Sequence, residues 1–198
     1  SASVVRTLHV GNQPRGMAMS RAGKLYVANF YGDSIDVFEG KDLDETHRLE
    51  VCKCPRHLAL SPDDKTLYIS CLNASQLHAM DVVTEKVIHE VPVGDAPKSV
   101  AVSRDGRYVY TADYGQTRSV SVVDTRDWTA RVFEIPGMDR GSGVAVGPDG
   151  RHALVTGWYD RHVYLVGFEG SGGHPEESKR RTRHWQFVPR HDDPGDGA

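Results

Sequence analysis

Three cations occupy one recurring place in the sequence: Arg15 in "QPRGM", Arg56 in "CPRHL" and Lys98 in "APKSV". A fourth, Arg140 in "DRGSG", lies two residues before the corresponding position, Ser142. Guanidinium and ammonium groups gathered at one point recognise carboxylates and phosphates, and the guanidinium fork does so with paired hydrogen bonds. The same groups can instead satisfy local carbonyls or pair with nearby acids, as Lys98 can with Asp113. Aromatic residues recur downstream: Phe30 and Tyr31, Tyr114, then Trp158 and Tyr159. Tyr31, Tyr114, Trp158 and Tyr159 therefore join Arg15, Arg56, Lys98 and Arg140 as candidate ligand-binding residues, apolar walls beside polar anchors. The competing role for Phe30, Tyr114 and Trp158 is packing between structural units.

Two histidines are candidates for acid–base chemistry, because imidazole titrates near neutrality. His57 adjoins Arg56, and His162 follows Asp160 in "WYDRH". His57 is the stronger candidate, since its counterparts in the other repeats are Gly16, Ser99 and Gly143, so the backbone does not require it. A histidine in a strand also serves as a hydrogen-bonded structural residue. Cys54, Cys71 and His57 form a weak candidate for a soft metal or redox site, set against small buried thiols filling gaps. Three cysteines are an odd count and do not suggest a disulfide framework. There is no nucleophile elbow, phosphate-cradling glycine loop, H-E-x-x-H or Cys-x-x-Cys motif. No cofactor is expected, and a metal ion stays open.

These residues recur in step because the sequence does. "QPRGMAMSRAGKLYVANFY", "CPRHLALSPDDKTLYISCL", "APKSVAVSRDGRYVYTADY" and "DRGSGVAVGPDGRHALVTGWY" are one pattern written four times, with Ala18, Ala59, Ala101 and Ala145 spaced by 41, 42 and 44 residues. Apolar residues alternate within each copy, the period of half-buried strands. "SRAGK", "SPDDK", "SRDGR" and "GPDGR" supply the Gly or Asp that hairpin turns require. Each copy reads as four strands, and a period near forty with that content is a propeller blade. Blades are expected at about 10–51, 52–92, 93–136 and 137–170. Antiparallel pairing of the first two strands should place Arg15 near Asn29, Arg56 near Cys71, Lys98 near Asp113 and Ser142 near Gly157, all on one rim.

The string "PKSVAVSRDGRYVYTAD" followed by "VSVVDT" resembles the YVTN type of β-propeller repeat, which is similar to the repeats of lactonase-type and nitrite-reductase propellers. The resemblance covers Val10 to about Gly170. It implies an all-β propeller with four four-stranded blades per chain. Because that family contains enzymes, cofactor-holding domains and binding modules, it implies no single function.

Such rings usually have seven or eight blades, so four must be completed. Residues 1–9 read as an orphan outer strand, and "HWQFV" at 184–188, inside a charged tail of 171–198, reads as another. The fourth blade could be finished within its own chain, giving a four-bladed ring. It could also be finished by strand exchange with a second chain, giving an eight-bladed homodimer, the favoured expectation. With 198 residues, 38% hydrophobic, 26% charged and a net charge of -3, the chain offers no electrostatic reason for nucleic acid or membrane as a partner. It begins "SASVV" without Met, as a removed signal peptide would leave it, although a cytoplasmic protein is the simpler expectation. The favoured function is a module that holds a small anionic molecule or a peptide at a cationic, aromatic rim. The alternative is a lactonase- or lyase-type enzyme in which a rim histidine moves the proton and Arg and Lys anchor substrate.

Overall fold

The computed structural model describes residues 2–167 and the backbone of 183–185. Blade one comprises β1 (Pro14–Met19), β2 (Leu25–Asn29), β3 (Ser34–Glu39) and β4 (Glu45–Glu50). Blade two comprises β5 (Pro55–Leu60), β6 (Thr66–Cys71), β7 (Gln76–Asp81) and β8 (Val87–Pro92). Blade three follows with β9 (Pro97–Val102), β10 (Tyr108–Asp113), β11 (Ser119–Asp124) and β12 (Thr129–Glu134). Blade four has β13 (Gly141–Val146), β14 (His152–Gly157), β15 (Val163–Gly167) and β16 (Arg183–Trp185). Each is an antiparallel meander in chain order. Among the described residues no helix is long and apolar enough to cross a membrane.

The blades stack face to face, and that stacking makes the core. Tyr26, Ile35 and Val37 of blade one meet Leu58, Leu67, Ile69 and Met80 of blade two. Leu77 and Ala79 meet Val100, Val109 and Val123 across the second junction. Ala112, Val120, Ile135 and Met138 meet Val155 and Tyr164 across the third. A strand between two neighbours is covered on both sides, so β10 is buried along nearly its whole length rather than at alternate residues. In β14 the alternation survives: Ala153 and Val155 are buried while Leu154 is 47% exposed, so blade four keeps one open face.

The first strands line the inner side of the assembly, β1 beside β5, β5 beside β9 and β9 beside β13. Among the described residues β1 and β13 make no comparable contact, and the four blades form an arc.

Three expectations change. Residues 2–11 adopt no regular secondary structure, and Val4 and Val5 are almost fully exposed, so the outer strand expected at 1–9 is not formed there. Two valines without a sheet edge to join gain nothing from extending. The fourth blade instead takes its outer strand from its own chain: β16 pairs with β15, Val163 opposite Trp185 and Leu165 opposite Arg183. Positions 186–188 of the expected strand lie outside the described residues, as does the remaining tail. Finally, Cys52 and Cys71 form a disulfide and Cys54 stays free and buried, so the odd cysteine count concealed a pair.

Candidate functional site

The local sequence builds the rim by a device repeated in every blade. The residue before each first strand adopts a left-handed backbone: Gln13, Cys54, Ala96 and Arg140, with φ of 52°, 54°, 53° and 60°. Its carbonyl accepts a hydrogen bond from the residue that follows the second strand, Phe30, Leu72, Tyr114 or Trp158. The paired residues are therefore Pro14 with Asn29, Pro55 with Cys71, Pro97 with Asp113 and Gly141 with Gly157. Pairing resumes at His57 with Ser70, Ser99 with Ala112 and Gly143 with Thr156, leaving one extra residue in the first strand. That is a β-bulge, which turns an unpaired side chain away from the ladder. The bulged residues are Arg56, Lys98 and Ser142, with Arg15 at the same place in blade one. The expected neighbours were thus one residue out of register, and the displacement aims the cations.

Arg15, Arg56, His57, Lys98, Ser99, Ser142, Gly143 and Val144 line one open cavity of about 320 Å³. No lining residue is acidic, and among the described residues none of Arg15, Arg56 and Lys98 is in an ion pair. Lys98 does not pair with Asp113. The Asp113 carboxylate is fully buried and accepts hydrogen bonds from Thr111, Ser119 and Ser121 at 2.7, 2.8 and 2.7 Å. Burial, opposed by those hydroxyls, pushes its pKa up to about 6.

The cations rest on aromatic rings. The Lys98 Nζ lies 3.5 Å from the centre of Trp158 and 4.1 Å from that of Tyr114. Arg15 and Arg56 lie 5.5 and 5.8 Å from the Phe30 ring, and Arg140 lies 5.1 Å from Tyr114. Phe30, Tyr114 and Trp158 therefore cushion cations on the rim. Each such contact is worth about 0.5–2 kcal/mol, more as water is excluded. Tyr114 and Trp158 meet edge to face, with centroids 6.0 Å apart, and Tyr159 and Tyr31 stand largely exposed beside Trp158 and Phe30. Arg140 occupies the left-handed position, not the bulge, and does not line the cavity.

Crowded like charges leave an electrostatic trace. Burial first, then Arg56 and Arg15, push the Lys98 ammonium down to about 8. Burial and Arg15 also lower Arg56. Partial burial of His57, opposed by its bond with Val100 and aided by the Arg56 charge, lowers its pKa and favours neutral imidazole. The Val100 N–H donates a long bond of 3.5 Å to His57 Nδ1, which leaves Nε2 as the protonated nitrogen. The Ser99 hydroxyl, beside the cavity, is buried without a hydrogen-bond partner.

His162 lies elsewhere, with its backbone N–H on Asp160 at 2.9 Å and its ring against Tyr164. Cys54, Cys71 and His57 do not converge as metal ligands: Cys71 is bonded to Cys52, and Asn73 donates to the Cys54 thiol at 3.0 Å. Ser99, Ser142, Gly143 and Val144 were not among the expected site residues. The signal that finds them is repeat equivalence, since Ser99 and Gly143 occupy the His57 position and Ser142 the cation position.

The comparisons with known proteins follow the fold. Residues 38–134 match a family model described as lactonase, 7-bladed beta-propeller. Antigen Lp49 of Leptospira interrogans serogroup Icterohaemorrhagiae serovar copenhageni (strain Fiocruz L1-130) is 26% identical over 178 residues, covering 79% of this chain and 39% of that protein. Hydrazine synthase of Kuenenia stuttgartiensis superposes with a TM-score of 0.70 at 24% identity, over 83% of this chain and 49% of that one. Virginiamycin B lyase from Staphylococcus aureus superposes with a TM-score of 0.70 at 14% identity, over 90% of this chain and 56% of that one. The chain thus spans about half the length of these solved structures and less of the curated relative. Its fold is that of a β-propeller, and its repeats are similar to those of lactonase-type propellers.

Proposed function

We propose that the rim cavity is a binding site for a small anion carrying two or more carboxylate or phosphate groups. One observation carries this reading: cations from three successive blades, Arg15, Arg56 and Lys98, converge on a cavity with no acidic lining residue. Uncompensated charge in a partly desolvated cleft is costly, and an anion relieves the cost with charge-assisted hydrogen bonds. The unpartnered Ser99 hydroxyl and the His57 Nε2–H supply neutral donors to the same ligand. A cavity of about 320 Å³ suits a metabolite-sized molecule or the end of a peptide.

The enzymatic alternative asks more of His57 than its surroundings offer. A histidine base is ordinarily oriented by a third group, and no carboxylate lines the cavity beside His57. In the binding reading His57 donates, a role that neutral imidazole fills.

Titration calorimetry of citrate and of a sugar bisphosphate tests the proposal. Binding to the wild type and at least about tenfold weaker binding to Arg56→Ala, as expected for removal of a charged hydrogen bond, is the supporting result. Absence of binding by either probe, or an unchanged affinity in Arg56→Ala, overturns it. His57→Ala should weaken binding only slightly.

We further propose that a second copy of the chain covers the open blade faces and completes the ring, which would double the cations around one pore.

A further inference from the structure

Behind the rim, three buried side chains meet at the junction of blades one and two. The Cys52 and Cys71 sulfurs and one ring nitrogen of His78 all lie within 4.8 Å of one another. The strand register explains the meeting. Cys71 pairs with Gln76 and Ile69 with His78, so Cys71 and His78 share the face of blade two that bears Ile69. Cys52, in the crossover from β4 to β5, joins the same cluster of buried residues.

The histidine carries a second, independent observation. His78 is 5% exposed. Its Nε2 lies 3.0 Å from Gln76 Oε1 and 4.0 Å from Glu90 Oε2. Because an amide oxygen only accepts, the proton sits on Nε2 and the lone pair on Nδ1. Nδ1 is buried with no hydrogen-bond partner. An orphaned buried acceptor costs about 1–3 kcal/mol, and a cluster that keeps one calls for an explanation. An imidazole with one nitrogen held by a carboxamide or carboxylate and the other free is the arrangement of a metal ligand with its supporting shell.

We infer that Cys52, Cys71 and His78 form a thiol-gated site for a thiophilic, closed-shell divalent metal ion of the Zn²⁺ class. The disulfide is the oxidised state of the site. A dithiol reductant transfers two electrons and two protons to it, is itself oxidised to a disulfide, and leaves two protein thiols. Binding of M²⁺ then displaces those two protons and forms two metal–thiolate bonds and one bond to Nδ1. Metal–sulfur bonds of about 2.3 Å and metal–nitrogen bonds of about 2.0 Å place sulfur and nitrogen about 3.5–4 Å apart, within the present spacing once the sulfurs separate by side-chain rotation. Thiolate and imidazole donors select such ions over Mg²⁺ or Ca²⁺.

The consequence is structural. The covalent bond joins the β4–β5 crossover to the end of β6, four residues before the bulged Arg56. The metal makes the same connection when the bond is reduced, so the crossover is clamped in either redox state. Disulfides persist in oxidising compartments; this clamp serves in a reducing one as well.

The test uses the full chain and Zn²⁺ as the probe. The protein is reduced with a phosphine and titrated against a chromophoric zinc chelator, with thermal unfolding followed in parallel. The expected result has four parts: no binding by the oxidised chain, one Zn²⁺ per reduced chain, at least tenfold weaker binding by reduced His78→Ala, and no change in Cys54→Ser. Zn²⁺ should restore thermal stability lost on reduction in the wild type but not in His78→Ala, whose oxidised form checks that the variant folds. If reduction unfolds both chains, refolding of the wild type alone on adding Zn²⁺ supports the site, and failure to refold refutes it. Reduced wild type that takes up no Zn²⁺, or uptake indifferent to His78, also overturns the inference.

Discussion

Lys98 sets the pH range in which the rim can work. A partly buried ammonium ion near two guanidinium groups holds its proton less tightly than a free lysine, and the Lys98 pKa falls to about 8. Ligand anions bind the charged form. Affinity should therefore be full below about pH 7 and fall as pH rises through about 8, by about tenfold if one charge-assisted contact is lost. Lys98→Arg removes the titration, since guanidinium stays charged throughout, and calorimetry across that range should give a flat profile for this variant. A wild-type profile equally flat would mean that Lys98 does not meet the ligand. His57, whose pKa is lowered, is already neutral in this window and contributes no slope.

The bulged first strands aim these groups, and their spacing rests on one glycine. A Cβ at Gly16 would stand 2.7 Å from the His57 Cα and 2.9 Å from the Arg56 carbonyl oxygen, both backbone atoms that cannot swing aside. Gly16 therefore lets β1 approach β5 where Arg15 and Arg56 must converge. Gly16→Ala should push the two strands apart, destabilise the chain by about 1–3 kcal/mol as overpacking does, and weaken anion binding along with Arg15→Ala. Denaturant unfolding and calorimetry on the same sample separate the two effects. The bulge itself was not legible in the sequence. Alternation located each strand and each hairpin turn, but counting back from the turn assumes an unbroken ladder. The extra residue depends on a left-handed residue before the strand, and Gln13, Cys54 and Ala96 carry no side-chain signature of that conformation.

At the scale of the molecule, the open ends of the arc dominate. Leu154 and Val163 on blade four, and Met17 and Met19 on β1, are 47%, 42%, 66% and 57% exposed. Apolar surface of this kind favours a partner, and we expect a second copy of the chain to cover it. Light scattering after size-exclusion chromatography should give about twice the 21.9 kDa chain mass. Leu154→Asp should shift the particle toward one chain mass by burying an unpaired charge at the seam. A wild-type particle of single-chain mass would remove the second copy from the proposal while leaving the rim site in place.

The repeat, the strand content, the hairpin turns and the propeller class could all be read from the sequence, because period-2 alternation and turn residues are local and four copies reinforce one another. Cations, aromatics and His57 could be placed on a common rim for the same reason. The tertiary structure decided the rest, since each remaining feature depends on contacts between residues distant in the chain. It set the bulged cations on aromatic cushions, turned Asp113 inward to three hydroxyls instead of toward Lys98, and chose β16 over the N-terminal segment for the fourth blade. It also joined Cys52 to Cys71 beside His78, a pairing that neither an odd cysteine count nor a spacing of 19 residues announces. Alternation determines which face a side chain takes; only the packing of one blade on the next determines what it meets there.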